Sequence, residues 1–138
     1  MTTLPAAPFL DLIGISPPRM EDGKAVTEVD LAPHHMNRLE SAHGGVIATL
    51  LDTAMVGAAR ASATPDSRLA TLEMKTSFMR PGKGKLRCEA RCVHASGTLA
   101  FCEAEIRDAA GKLIATGSGT YRYVIGGASS RSGSARTA

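Results

Sequence analysis

A histidine, two glycines and an aspartate mark where chemistry is concentrated in this chain. His43-Gly44-Gly45 stands where a polar loop gives way to a long apolar run, and Asp52 interrupts that run. Glycines at a helix entry let a ligand approach the backbone closely. The first amides of a helix lack intrahelical acceptors and lie at the positive end of its dipole. Such a place can hold a developing oxyanion. Asp52 sits between Leu51 and Ala54 on an otherwise apolar element. A carboxylate there is costly unless it is hydrogen-bonded. One held in that way suits a general base or a nucleophile; the alternative is a helix residue satisfied by local hydrogen bonds. Gly44 and Asp52 are eight positions apart (52 − 44), which is about 12 Å along one helix. One helix cannot bring both to a single carbonyl. If both act on one substrate, the carboxylate comes from a second subunit.

The elements that would position these residues read as a hairpin, one buried helix and then a run of strands. Residues 1–8 form a loose arm, and Pro8 to Gly14 suits a short helix closed by Gly14. From Ile15 to Leu31 the pattern is a hairpin turning at Asp22-Gly23. Residues 44–62 carry Val46, Ile47, Leu50, Leu51, Ala54, Met55 and Ala58 at helical spacing and are apolar nearly all round, as in a buried helix. Four strands follow. In the first, Ala70, Leu72, Met74, Thr76 and Phe78 alternate with Leu69, Thr71, Glu73, Lys75 and Ser77. In the next two, Leu86-Cys88-Ala90-Cys92 and Ala100-Cys102-Ala104-Ile106 line inner faces, and Leu113 to Val124 is the last. Residues 126–138 are Gly/Ser-rich and expected to be disordered. A lone apolar helix needs cover, most simply an antiparallel sheet curled around it. The domain therefore spans residues 9–125, in the α+β class.

Composition narrows the partners. The net charge is +3, and two basic residues of the tail, Arg131 and Arg136, leave +1 for the rest (3 − 2). That is too little for a nucleic-acid footprint but compatible with an anionic small molecule. Three cysteines without paired spacing make no disulfide framework, and adjacent His34-His35 lack a third metal ligand at useful spacing. No metal and no cofactor is expected. The apolar stretch from Val46 to Ala61 is too short and too polar to span a membrane, and the N-terminus lacks the basic and apolar regions of a signal peptide. A soluble, cytoplasmic setting is the default expectation. With aromatics at 4% and no Trp, the core rests on small side chains, a mild pointer to oligomers.

The pattern Asn37, His43-Gly44-Gly45, Asp52, followed by the strand from Ala70 to Phe78-Met79-Arg80-Pro81, resembles the hotdog-fold acyl-CoA thioesterases of the phenylacetate-degradation type. The resemblance covers residues 10–125. It implies a hotdog fold, an antiparallel sheet wrapped around one long helix, and hydrolysis of an acyl- or aryl-CoA thioester to acid and CoA. It further implies a homo-oligomer, a dimer or dimer of dimers with the active site shared between subunits; charge and hydropathy, as above, lead us to expect no nucleic acid and no membrane as partner. By the same resemblance Gly44 N–H is the oxyanion donor and Asp52, from the facing subunit, is the base or nucleophile. Asn37 positions the nucleophile or carbonyl, and His43 holds the loop near the thioester. Thr71 orients the attacking water, matched only after a one-residue shift. Gly45, Arg80, Lys83 and Lys85 are candidates for contacts to CoA, the three cations being otherwise a solvated turn. Two other readings stand beside hydrolysis. A non-catalytic acyl-CoA sensor would usually carry a DNA-binding segment, for which the flanks leave no room. A hotdog dehydratase or hydratase would carry His-Phe-Pro or Asp-x4-His, and neither occurs.

Overall fold

The computed structural model describes residues 2–3, 7–63 and 67–124. The expected tail, residues 126–138, and residues 1 and 4–6 of the expected arm lie outside the described residues. Chain order is β1 (Thr2–Thr3), α1 (Pro8–Ile13), β2 (Arg19–Glu21), β3 (Lys24–Asp30), a 3-10 turn at Pro33–His35, α2 (Gly44–Ala61), β4 (Arg68–Phe78), β5 (Lys85–Ala95), β6 (Leu99–Asp108) and β7 (Leu113–Val124). The strands form one antiparallel sheet in the order β1-β2-β3-β5-β6-β7-β4. It wraps the single long helix, the hotdog architecture the resemblance implies. Thr2–Thr3, expected in the loose arm, instead pair with β2.

Local chemistry sets the joints. Asp22 and Gly23 have φ of 50° and 73°, the two positive values that a tight hairpin with the twist of its strands requires. Gly14, at φ 70°, closes α1 with its amide on Asp11 and Leu10 carbonyls. α2 buries Ile47, Leu50, Leu51, Ala54, Met55 and Ala58 against the sheet. The facing strand positions are small: Ala25, Cys88, Ala90, Ala100, Cys102, Ala104 and Ala115 are all buried. Large helix side chains thus meet a shallow sheet surface. Each fully buried Leu contributes about 2 kcal/mol by leaving water. Among the described residues no helix is long and apolar enough to cross a membrane.

β4 departs from the strict alternation expected of it. Its register against β7 shifts between Thr71 and Glu73, so Leu72 is the extra residue of a β-bulge. Leu69 and Met74 are half-buried, while Leu72 is 52% exposed. Leu72 therefore does not share a face with Met74, and Thr71 turns toward the helix. β4 is also an edge strand, and Leu72, Phe78 and Met79 at its margin are exposed.

At Gly57 the helix lies close against β3 and the segment before β2. A Cβ there would lie 2.7 Å from Pro18 Cβ and 2.9 Å from Ala25 Cβ. Helix propensity alone favours Gly57→Ala by about 1 kcal/mol. Packing opposes it, since forcing a methyl into a filled site costs about 1–3 kcal/mol. Gly57→Ala is expected to lower the urea midpoint; a raised midpoint would show that the helix does not sit this close.

Candidate active site

The polar segment before α2 is built to hold a helix end in place. His35 is buried; its Nδ1 accepts the Ala32 amide at 2.8 Å and its Nε2 bonds the Ile13 carbonyl, tying this loop to α1. Asn37 Oδ1 accepts the amides of Leu39 (2.8 Å) and Ser41 (3.1 Å), and its Nδ2 donates to Ser41 Oγ at 3.1 Å. Asn37 thus shapes the turn through Glu40, whose φ is 58°. One further Nδ2 hydrogen is left for another acceptor.

His43 is the N-cap of α2. Its Nδ1 accepts the Gly45 amide at 2.8 Å, and its carbonyl accepts the amides of Val46 and Ile47. An imidazole here does what Ser or Asn ordinarily does. Of the first four amides, that of Gly44 is left without a partner among the described residues. The Gly45 amide, by contrast, is already taken. Phe78 lies 3.5 Å from where a Cβ on Gly44 would stand, so an aromatic edge borders the free amide.

Asp52 sits half-buried in the middle of the same helix. Thr71 Oγ1 and Tyr121 Oη both donate to its Oδ1, each at 3.0 Å. Both bonds land on one oxygen, leaving Oδ2 without a protein partner among the described residues. Thr71 reaches Asp52 because of the bulge that follows it; regular alternation would have turned it the other way from Met74. Tyr121 is fully buried, and burial first, the facing Asp52 carboxylate second, push its phenol well above the ordinary range. It remains a donor. Tyr121 was not singled out by sequence, where an aromatic on an alternating strand reads as core.

A hollow lies beside each half of this chemistry. One of about 520 Å³ lies beside Asp52 and Thr71 and is walled by Phe9, Leu10, Val56 and Met74. The other, about 280 Å³, lies beside Gly44 and includes Asn37, Phe78 and Arg80. Neither contains both Gly44 and Asp52. A larger hollow of about 670 Å³ lies on the outer face of the sheet, far from this chemistry, among Lys24, Glu89, Arg91 and Glu103. Charges there are paired across strands, as Arg91 is with Glu103 at 2.5 Å.

The cationic candidates separate. Arg80 borders the hollow at Gly44 and donates to the Leu113 carbonyl at 2.8 Å. Lys83 is exposed, and Lys85 lies 3.8 Å from Glu28; neither lines that hollow. No group of three potential metal ligands is present among the described residues. Cys88 and Cys102 are buried, and burial raises both thiols, Cys102 to about 12, so they behave as small core hydrophobes.

Comparison with known proteins adds the family. The family model of the thioesterase superfamily matches residues 39–115, which include Gly44, Asp52 and Thr71. A protein of Halobacterium salinarum named as an esterase is 30% identical over 129 residues, covering 83% of each chain. Another so named, from Saccharolobus solfataricus, is 31% identical over 119 residues, 85% of this chain and 81% of its own. Among solved structures, a conserved protein of Pseudomonas aeruginosa superposes with TM-score 0.82 at 34% identity, covering 86% of this chain and 94% of its own. The PaaI protein from the phenylacetic acid degradation operon of E. coli shares the fold, with TM-score 0.76 at 24% identity over 86% of this chain and 85% of its own.

His43 makes a separable structural contribution. His43→Ala is expected to lower unfolding free energy by about 1 kcal/mol through loss of the cap. His43→Asn, which restores a side-chain acceptor, should recover most of it in urea titrations. Equal stability of all three would mean that the Gly45 amide bond is not what holds the helix end.

Proposed function

The chain belongs to the thioesterase superfamily, and from that membership we propose that it hydrolyses an acyl- or aryl-CoA thioester to the free acid and CoA. The observation that carries this reading is the Asp52 carboxylate, pinned on Oδ1 by two hydroxyls with Oδ2 unpartnered, beside an apolar cavity. Asp52 Oδ2 accepts a proton from water while the water oxygen bonds the thioester carbonyl carbon. Thr71, donating to Asp52 through its hydrogen, has lone pairs left to orient that water. The carbonyl electron pair moves onto oxygen, where Gly44 N–H and the positive helix end stabilise it. Collapse breaks the C–S bond, and the leaving thiolate takes the proton back from Asp52. Asn37, with one amide hydrogen to spare, orients the carbonyl, and His43 fixes the loop. Arg80, Lys83, Lys85 and the Gly45 backbone meet the CoA arm. The apolar cavity takes the acyl or aryl group.

The two halves of this machinery come from different subunits of a homodimer, alone or paired into a tetramer, in the cytoplasm. Support comes from the helix itself, which holds Gly44 and Asp52 beside separate hollows about 12 Å apart along its axis. The unpaired edge of β4, with Leu72, Phe78 and Met79 exposed, is a surface a second copy would cover.

Thiol release from a panel of short, medium, long and aromatic acyl-CoAs tests the reading. Asp52→Asn is expected to cut kcat by about 10²–10⁴ with the fold retained. Wild-type turnover in that variant would sink the assignment, and tight acyl-CoA binding without thiol release by the native protein would favour a sensor. Gly44→Pro deletes the proposed oxyanion donor at the first helical position, where proline is well tolerated. It should lower kcat by about 10²–10³. The two inactive variants, refolded together, should regain about a quarter of native activity, because half the dimers are mixed and each has one intact site. No recovery would place both groups in one subunit.

A further inference from the structure

We infer that Tyr121 is a positioning residue for the hydrolysis, its phenol locking the Asp52 carboxylate so that Oδ2 faces the attacking water. The inference rests on the thioesterase reading of this site. Its basis is the way three elements converge on one oxygen atom. Thr71 and Tyr121 are direct partners across the β4–β7 pairing, so their side chains leave the sheet on the same face. Both hydroxyls end 3.0 Å from Asp52 Oδ1. One donor leaves a carboxylate free to swing about its Cβ–Cγ bond; two, coming from neighbouring strands, hold its plane.

The sheet makes room for this bond. Tyr121 is preceded on the same face by Gly119 and Gly117. A Cβ on Gly119 would stand 2.9 Å from both Tyr121 Cε2 and Tyr121 Oη. The ring lies back along its own strand over the bare glycine, and in that posture its hydroxyl reaches Asp52. A Cβ on Gly117 would stand 3.1 Å from Leu51 Cδ1, so the second gap seats the residue before Asp52. Tyr123 supplies the contrast. It sits two positions further on the same strand, and its hydroxyl donates to the Ala59 carbonyl at 2.6 Å, a tie between sheet and helix backbone. Tyr121 donates instead to the only carboxylate in α2.

Tyr121→Phe keeps the ring and removes the donor. The expected result is a fall in kcat of about tenfold, the size of one hydrogen bond to a charged group, with KM within twofold of native. The protein should stay folded, with the urea midpoint lowered by no more than the loss of that one hydrogen bond, because the ring still fills its site. In an Asp52→Asn background the same substitution should leave the residual turnover unchanged, since the phenol acts through that carboxylate. Thr71→Val, which removes the other donor from an exposed position, should lower kcat with KM likewise unaffected. Native kcat in Tyr121→Phe beside an inactive Asp52→Asn overturns this inference alone. A tenfold loss that persists in the Asp52→Asn background, or a change in KM only, also overturns it. Native turnover in Asp52→Asn overturns the reading of the site and this inference with it.

Discussion

A carboxylate on the inner helix of a sheet-wrapped fold must find donors in the sheet, and the rest of this structure is arranged around that requirement. Asp52 is the only acid of α2, and its two donors come from strands that are neighbours in the sheet but distant in sequence. A hydrogen bond to an ionised group is worth about 1.5–3 kcal/mol, and leaving the group unpaired costs more. Because Thr71 and Tyr121 oppose each other, slipping β4 by one residue would turn Thr71 away from the helix and leave the carboxylate with one donor. The register of this edge strand is thus fixed by polar chemistry as well as by its apolar residues. The bulge at Leu72 lets Thr71 face the helix while Met74 still packs on the core, which a regular strand would not allow.

The helix divides its labour along its length. Its first turn presents a free amide at Gly44, with the amides behind it occupied by His43. Its middle presents the carboxylate. The capping imidazole satisfies the amides of the first turn selectively: Gly45 through its ring, Val46 and Ile47 through its carbonyl. Asn37 does the same for the loop before it, holding the Leu39 and Ser41 amides. These contacts make the helix entry rigid without filling the one donor that faces outward. In the proposed enzyme a rigid donor is worth more than a flexible one, since it needs no rearrangement when charge develops.

Much of this was legible in the sequence wherever a residue broke the pattern of its surroundings. Asp52 stands out on an apolar helix, Gly44-Gly45 at a loop-to-helix boundary, and Asp22-Gly23 between two alternating runs. The strands of β5 and β6 announce themselves because Leu86, Cys88, Ala90 and Cys102, Ala104, Ile106 alternate with charges. Leu72 hid the bulge because it extends the alternation it in fact interrupts; nothing in its type marks an extra residue. Thr71, matched to the family's Ser or Thr only after a one-residue shift, stands immediately before that bulge. Tyr121 was invisible for a different reason: its partner lies 69 positions away, and only the folded sheet brings the two together. Arg80, Lys83 and Lys85 look alike in sequence, yet their surroundings separate them, since only Arg80 borders the hollow at Gly44.

The placement of the few aromatic residues follows from the same economy. The chain has three Phe, two Tyr and no Trp. A core short of volume would be expected to bury its phenylalanines first, as the aromatics without a polar end. Here Phe9, Phe78 and Phe101 are 57%, 61% and 41% exposed, and the fully buried aromatic is Tyr121. Alanine and cysteine line the sheet, so the helix sits close and leaves little space for a ring. The one ring admitted to the centre lies over a glycine and ends in a hydroxyl on the helix carboxylate. Two of the exposed rings have places at the site as well: Phe9 walls the cavity beside Asp52, and Phe78 borders the free amide of Gly44. Three of the five aromatic side chains, Phe9, Phe78 and Tyr121, thus stand beside Gly44 or Asp52, while aliphatic residues make most of the core.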